Sequence, residues 1–93
     1  MSINDTLKDR GTIYGDYGDG SNFRADVLQM MMEIYEKHND LPMPVVYQVM
    51  LLDIISKLSR LATTPTHIDT VHDIAGYASL YEQYLIGKHN ATK

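Results

Sequence analysis

PVVYQVMLLDIISKLSRLA, residues 44–62, decides the fold. Val45, Val46, Val49, Met50, Leu51, Leu52, Ile54, Ile55, Leu58 and Leu61 leave almost no side of a helix free of apolar groups. A helix that is apolar nearly all round is buried by its own domain or by a partner subunit. Pro44 suits its first turn, where the missing N–H costs nothing. The apolar surface is broken on one side only. At 100° per residue, Asp53, Ser56, Lys57 and Arg60 fall within an arc of roughly 100°. Lone charges are expensive to bury, so this stripe must meet water, another charge or a ligand.

The segment before it reads as an amphipathic helix over 23–38. Phe23, Val27, Met30, Met31, Ile34 and Tyr35 recur there at three- and four-residue steps. Asn39-Asp40-Leu41-Pro42 ends it. On the other side Thr63-Thr64-Pro65-Thr66 is a turn, with Thr66 as the expected N-cap and Asp69 placed for the positive end of the helix dipole. The last helix is expected over 67–86, with Gly87 as its stop. Its Asp69, Asp73, Gly76, Tyr77 and Leu80 share one side; Ile68, Val71, Ala75, Ala78 and Leu85 form an apolar side. GTIYGDYGDGSN (11–22) holds four of the six glycines without helical period and reads as a loop, with Ser21 or Asn22 as the cap that follows. Ile3 and Leu7, four apart, leave room for a short N-terminal helix over 2–9. No segment alternates at period two. The expectation is therefore all-α: a compact bundle of three main helices (23–38, 44–62 and 67–86), a Gly/Tyr-rich loop over 10–22, and a single domain over 1–93.

Composition bounds the function. Ninety-three residues, 44% of them apolar, can build one modest core. Eight Lys and Arg against twelve Asp and Glu give a net charge of −4, and the pI is near 5.3. General nucleic-acid binding is not expected, because it rests on releasing counterions to a basic surface. No run of eighteen apolar residues suggests a membrane span, and MSINDTLKDRG has no signal-peptide core, so the expected location is the cytoplasm. The absence of cysteine removes disulfides, thiolate metal sites and Cys nucleophiles.

The residues that can carry chemistry lie on the last two helices. Asp69 and Asp73, at i and i+4, repel each other unless a cation lies between them. Gly76 on the same side allows close approach to the backbone. Lys57 and Arg60 are the available cations. One account is structural: the two cations neutralise the two carboxylates across a helix hairpin. The other is a ligand site, in which Lys57 and Arg60 hold phosphate while Asp69 and Asp73 orient the cations, hold a metal or accept ligand hydrogens. In the loop, Tyr14, Gly15, Tyr17 and their neighbours can aim backbone N–H groups at a phosphate, with a tyrosine stacked on a base. The GK[ST] ending of a Walker motif is missing, as are the EF-hand spacing and its closing Glu. Glu33 and Glu36 form an ExxE pair, a magnesium-binding pattern that is also common on solvated helices. His67 and His72 do not share a face at ligand spacing, so zinc is not expected. Met30, Met31 and Met32 suit core or interface filling.

Taken in order, YGDYGDGSNF (14–23), LLDIISKLSRL (51–61) and HIDTVHDIAGYASL (67–80) resemble a family of small helical proteins encoded by bacteriophages and prophages. Its members show a YG…NF loop, a K-x-x-R helix and a closing D-x-x-x-D-I-A-G-Y-A helix. The resemblance covers about residues 10–85. By it, Tyr14, Gly15, Asn22, Phe23, Lys57, Arg60, Asp69, Asp73, Gly76 and Tyr77 occupy marked positions. The family has no settled activity and is distantly similar to MazG-type all-α nucleotide pyrophosphatases, which oligomerise and bind magnesium through ExxE and ExxD carboxylates. Here the closing carboxylates are spaced D-x-x-x-D, which departs from that pattern.

Three functions are consistent with these residues. The first is a phage-type protein that binds, without turnover, a nucleotide-derived phosphorylated ligand, such as a host defence signalling nucleotide. It needs no metal cofactor and forms a homo-oligomer through the apolar 44–62 helix and its neighbours. The second is an Mg2+-dependent nucleoside triphosphate pyrophosphatase using Asp69, Asp73, Glu33 and Glu36. The third is a structural or protein-interaction module.

Overall fold

The computed structural model describes residues 17–91. They form three helices: α1, Tyr17–Asn39; α2, Val45–Thr63; and α3, Ile68–Ala91. No strand occurs among the described residues. The all-α, three-helix architecture is the one the apolar periodicity predicts.

α2 is the central helix, packing on α1 along one side and on α3 along another. The chain runs up, down and up. Gly20 near the start of α1 lies beside Ser59 near the end of α2. Lys57 near the end of α2 meets Asp73 near the start of α3, and Lys88 at the far end of α3 reaches Tyr47 at the start of α2. The deepest side chains are few. Ile55 on α2 is 3% exposed, and Met43 in the α1–α2 connection is also buried. Two buried hydroxyls are satisfied locally: Ser59 donates to the Ser56 carbonyl at 2.8 Å, and Thr70 pairs with His67 Nδ1 at 2.7 Å.

The connections follow from local chemistry. Asp40 takes a left-handed φ of 57°, a conformation Asp tolerates better than most residues, while its N–H still bonds the Glu36 carbonyl. The Pro44 carbonyl accepts the N–H groups of Tyr47 and Gln48, and the Gln48 amide reaches back to the Met43 carbonyl at 2.8 Å. At the second turn His67 takes the capping place expected of Thr66. Its carbonyl accepts the Val71 N–H, and its ring holds Thr70.

Two helix ends correct the sequence expectations. Residues 17–22, expected within the 10–22 loop, are the first turns of α1, so Ser21 and Asn22 are interior and do not cap. Each glycine inside a helix costs about 1 kcal/mol relative to alanine. Local contacts offset that cost: Asp19 lies in the positive first turn, Arg24 donates to Ser21 Oγ at 3.1 Å, and its guanidinium covers the Tyr17 ring at 5.7 Å. Likewise α3 does not stop at Gly87 but runs to Ala91. Lys88, immediately beyond the glycine, donates to Tyr47 Oη at 2.7 Å and pins that last turn to α2. The short N-terminal helix and loop residues 10–16 lie outside the described residues. No helix among the described residues is long and apolar enough to cross a membrane.

Candidate functional site

The polar stripe of α2 meets α3 at one point. Lys57 leaves the α2 surface toward α3 and places Nζ 3.1 Å from Asp73 Oδ2. The same ammonium lies 6.0 Å from the centroid of the Tyr77 ring, one turn further along α3. The lysine side chain is largely sheltered, at 15% exposure, while the Asp73 side chain keeps 45%. The pair is therefore half-open to water, with its carboxylate on the wet side.

An open cleft of about 500 Å3 begins at this pair, within the usual size range of small-molecule sites. Lys57 of α2 lines it together with His72, Asp73, Gly76, Tyr77, Ser79 and Leu80 of α3. Gly76 helps keep it open. A Cβ built there would meet nothing within 4 Å. Ser56, next to Lys57, turns its hydroxyl back onto the Leu52 carbonyl at 2.8 Å.

Of the residues singled out from sequence, Lys57, Asp73, Gly76 and Tyr77 are brought together. Arg60 is half-buried one turn beyond Lys57, and Asp69 is exposed one turn before Asp73; neither lines the cleft. Tyr17, Asn22 and Phe23 belong to α1 and do not line it either. Tyr17 instead stacks with Arg24 and is 82% exposed. Tyr14 and Gly15 lie outside the described residues. Glu33 and Glu36 are exposed on α1, where Glu33 accepts a hydrogen bond from Gln29 at 3.0 Å. No group of three or more His, Asp or Glu able to hold a metal ion occurs among the described residues. His72 and Ser79 are additions. His72 drew attention in the sequence only as a zinc candidate, yet its place beside Asp73 on a helix already suspected of ligand contact was a usable signal.

A family match covers most of the chain. Residues 4–85 match a domain of unknown function, DUF6378. The chain belongs to that family. No curated protein and no solved structure matches it. The family region spans all of α1 and α2 and the cleft-bearing part of α3, so the Lys57–Asp73 pair and its surroundings belong to the DUF6378 domain itself.

Proposed function

We propose that this DUF6378 domain binds a phosphorylated, nucleotide-like ligand in the cleft between α2 and α3 and holds it without turnover. The supporting observation is the Lys57 ammonium, sheltered on its stem, set near the Tyr77 ring and paired with a half-exposed carboxylate lining an open cleft. An incoming phosphate can share or displace Asp73, forming a charge-assisted hydrogen bond to Lys57. Tyr77 provides the aromatic face for a base. His72 and Ser79 can donate to further oxygens, and Asp73, once released, can accept from a ribose hydroxyl or an amino group. The resemblance to phage proteins adds the biological reading: sequestration of a signalling nucleotide in a bacterial host's cytoplasm.

A structural reading is favoured by one observation, the Lys57–Asp73 pair itself. Thermal shift with nucleotides, cyclic nucleotides and inorganic phosphate, with and without magnesium, separates the readings when each ligand's chemical fate is followed. Binding predicts stabilisation with the ligand recovered intact. Replacing Lys57 by Met should weaken that binding by about 1.5–3 kcal/mol, and Arg60→Gln should do so if Arg60 turns toward the bound anion. Because Asp73 is already half in water, the cost of Lys57→Met to folding should stay within about 1 kcal/mol. Release of pyrophosphate with magnesium would replace this reading by a hydrolase. No response to any ligand, with a Lys57→Met melt lowered by several kcal/mol, would leave only the structural pair.

A further inference from the structure

The outer side of α3 is a second feature that neither the protomer core nor the cleft uses. Ile68, Val71, Ala75, Ala78, Glu82 and Leu85 follow one another at steps of three, four, three, four and three residues. That is the spacing of a coiled-coil seam, in which two helices meet along alternating a and d positions. All six are exposed: Ile68 is 79%, Val71 50% and Leu85 41% exposed, and Ile86 flanks the end of the stripe at 53%. The seam is about 27 Å long at 1.5 Å per residue. The stripe is apolar but for Glu82, and an exposed apolar stripe on a surface marks an interaction site.

We infer that a second copy of this chain docks on the stripe, α3 against α3, in antiparallel orientation. Charge selects both occupant and direction. Glu82 is the one charged residue in the seam. In a parallel pair it would face its own copy, placing two carboxylates together in a desolvated seam, a costly arrangement. In an antiparallel pair the two-fold axis passes between Ala75 and Ala78. Ile68 then meets Leu85 of the second copy, Ala75 meets Ala78, and the stem of Glu82 lies over Val71. The Glu82 carboxylate falls beside His72 of the second copy, which can donate to it. The small residues at the axis let the helices approach closely, and the larger ones close the two ends. Such a surface is self-complementary, as a two-fold interface requires. The sequence places the expected contact on the apolar 44–62 helix; as α2 it packs against two neighbours yet still exposes Val45, Val49 and Leu58, whereas the exposed residues of α3 repeat at seam spacing. The inference stands independently of any ligand, although His72 and Ser79, each next to a seam residue, would set the cleft's rim at the edge of the interface.

Sedimentation equilibrium of the whole chain at micromolar to high-micromolar concentration is the first test, with a dimer of the 10.6 kDa chain expected. Ala75→Glu or Val71→Lys, both at exposed helical sites, should return a monomer whose circular dichroism is unchanged. Orientation follows from cross-linking, which the cysteine-free chain makes clean. Ile68→Cys alone and Leu85→Cys alone should fail to form disulfide dimers, and an oxidised mixture of the two variants should form them. A monomer at every concentration, or a dimer indifferent to both seam charges, would overturn the proposal; efficient cross-linking of either single-cysteine variant alone would overturn the antiparallel pairing.

Discussion

α2 and α3 differ in what they turn toward the rest of the protomer. α2 buries Ile55 and keeps its polar stripe half-buried, with Lys57 turned to α3, while Val45, Val49 and Leu58 stay exposed. α3 turns Thr70, Asp73, Tyr77 and Tyr81 toward α2 and leaves Ile68, Val71 and Leu85 in water. Both helices contain enough apolar residues to fill a core, so hydrophobicity alone did not choose the face. α2 offers Lys57 and Tyr47 to α3, and the face of α3 that can answer an ammonium and a phenol is the mixed one. The protomer is thus closed by a polar and aromatic helix pair, with an apolar stripe left over. That arrangement puts a cleft on one side of α3 and a docking seam on another.

The comparison is tested most severely by truncating an apolar residue on each helix. Ile55→Ala removes a side chain that is 3% exposed and should cost about 2–5 kcal/mol by denaturant melt. Val71→Ala, measured dilute enough to keep the chain monomeric, should stay within about 0.5 kcal/mol. Equal losses at the two positions would mean that α3 buries its apolar stripe inside the protomer and would break the contrast.

The sequence showed the helices well and their ends poorly. The α2 period was unmistakable because a helix packed on two sides must be apolar over most of its surface. The start of α1 and the end of α3 were hidden for one reason: Gly18, Gly20 and Gly87 are poor helix formers, and tertiary contacts override them. No local pattern predicts that Lys88 finds Tyr47 forty-one positions away. The site was legible in part. Lys57, Asp73, Gly76 and Tyr77 share helical faces that their spacing displays, and a short turn brings their helices together. Arg60, a turn beyond Lys57, and Asp69, a turn before Asp73, do not line the cleft. The Gly/Tyr-rich loop drew attention to Tyr17, which as part of α1 stacks with Arg24 instead.

A smaller effect sharpens the cleft side of the comparison. Gly76 sits within α3, exposed, with open space where a Cβ would project. If its only role were helical, alanine would be the better residue there by about 0.5–1 kcal/mol. Gly76→Ala should therefore raise stability while weakening binding of whichever nucleotide or phosphate probe the wild-type chain retains, because the methyl group enters the cleft. A stabilised variant with undiminished binding would show that the ligand keeps clear of the α3 backbone at this position.

The smallest effect concerns the far end of the polar pairing. The Lys88 ammonium donates to Tyr47 Oη and lies 5.0 Å from that ring, and this hydrogen bond, with the charge interaction accompanying it, holds its pKa above the ordinary 10.5. A raised pKa means that the folded chain favours the charged form more than the unfolded chain does. The contribution is therefore fully present below 10.5 and is lost as pH rises through the higher folded value. Lys88 is exposed, so the contribution is small and screened by salt. The measurement is the stability of the wild-type chain minus that of Lys88→Met across alkaline pH, a difference from which the other titrating groups largely cancel. It should be positive and level from neutral pH upward, then narrow once pH passes 10.5. A gap that persists well above that value would mean that the lysine's methylene stem, not its charge, fastens the last turn of α3 to α2. In that case the polar character of the α2–α3 pairing would end at Lys57 and Asp73.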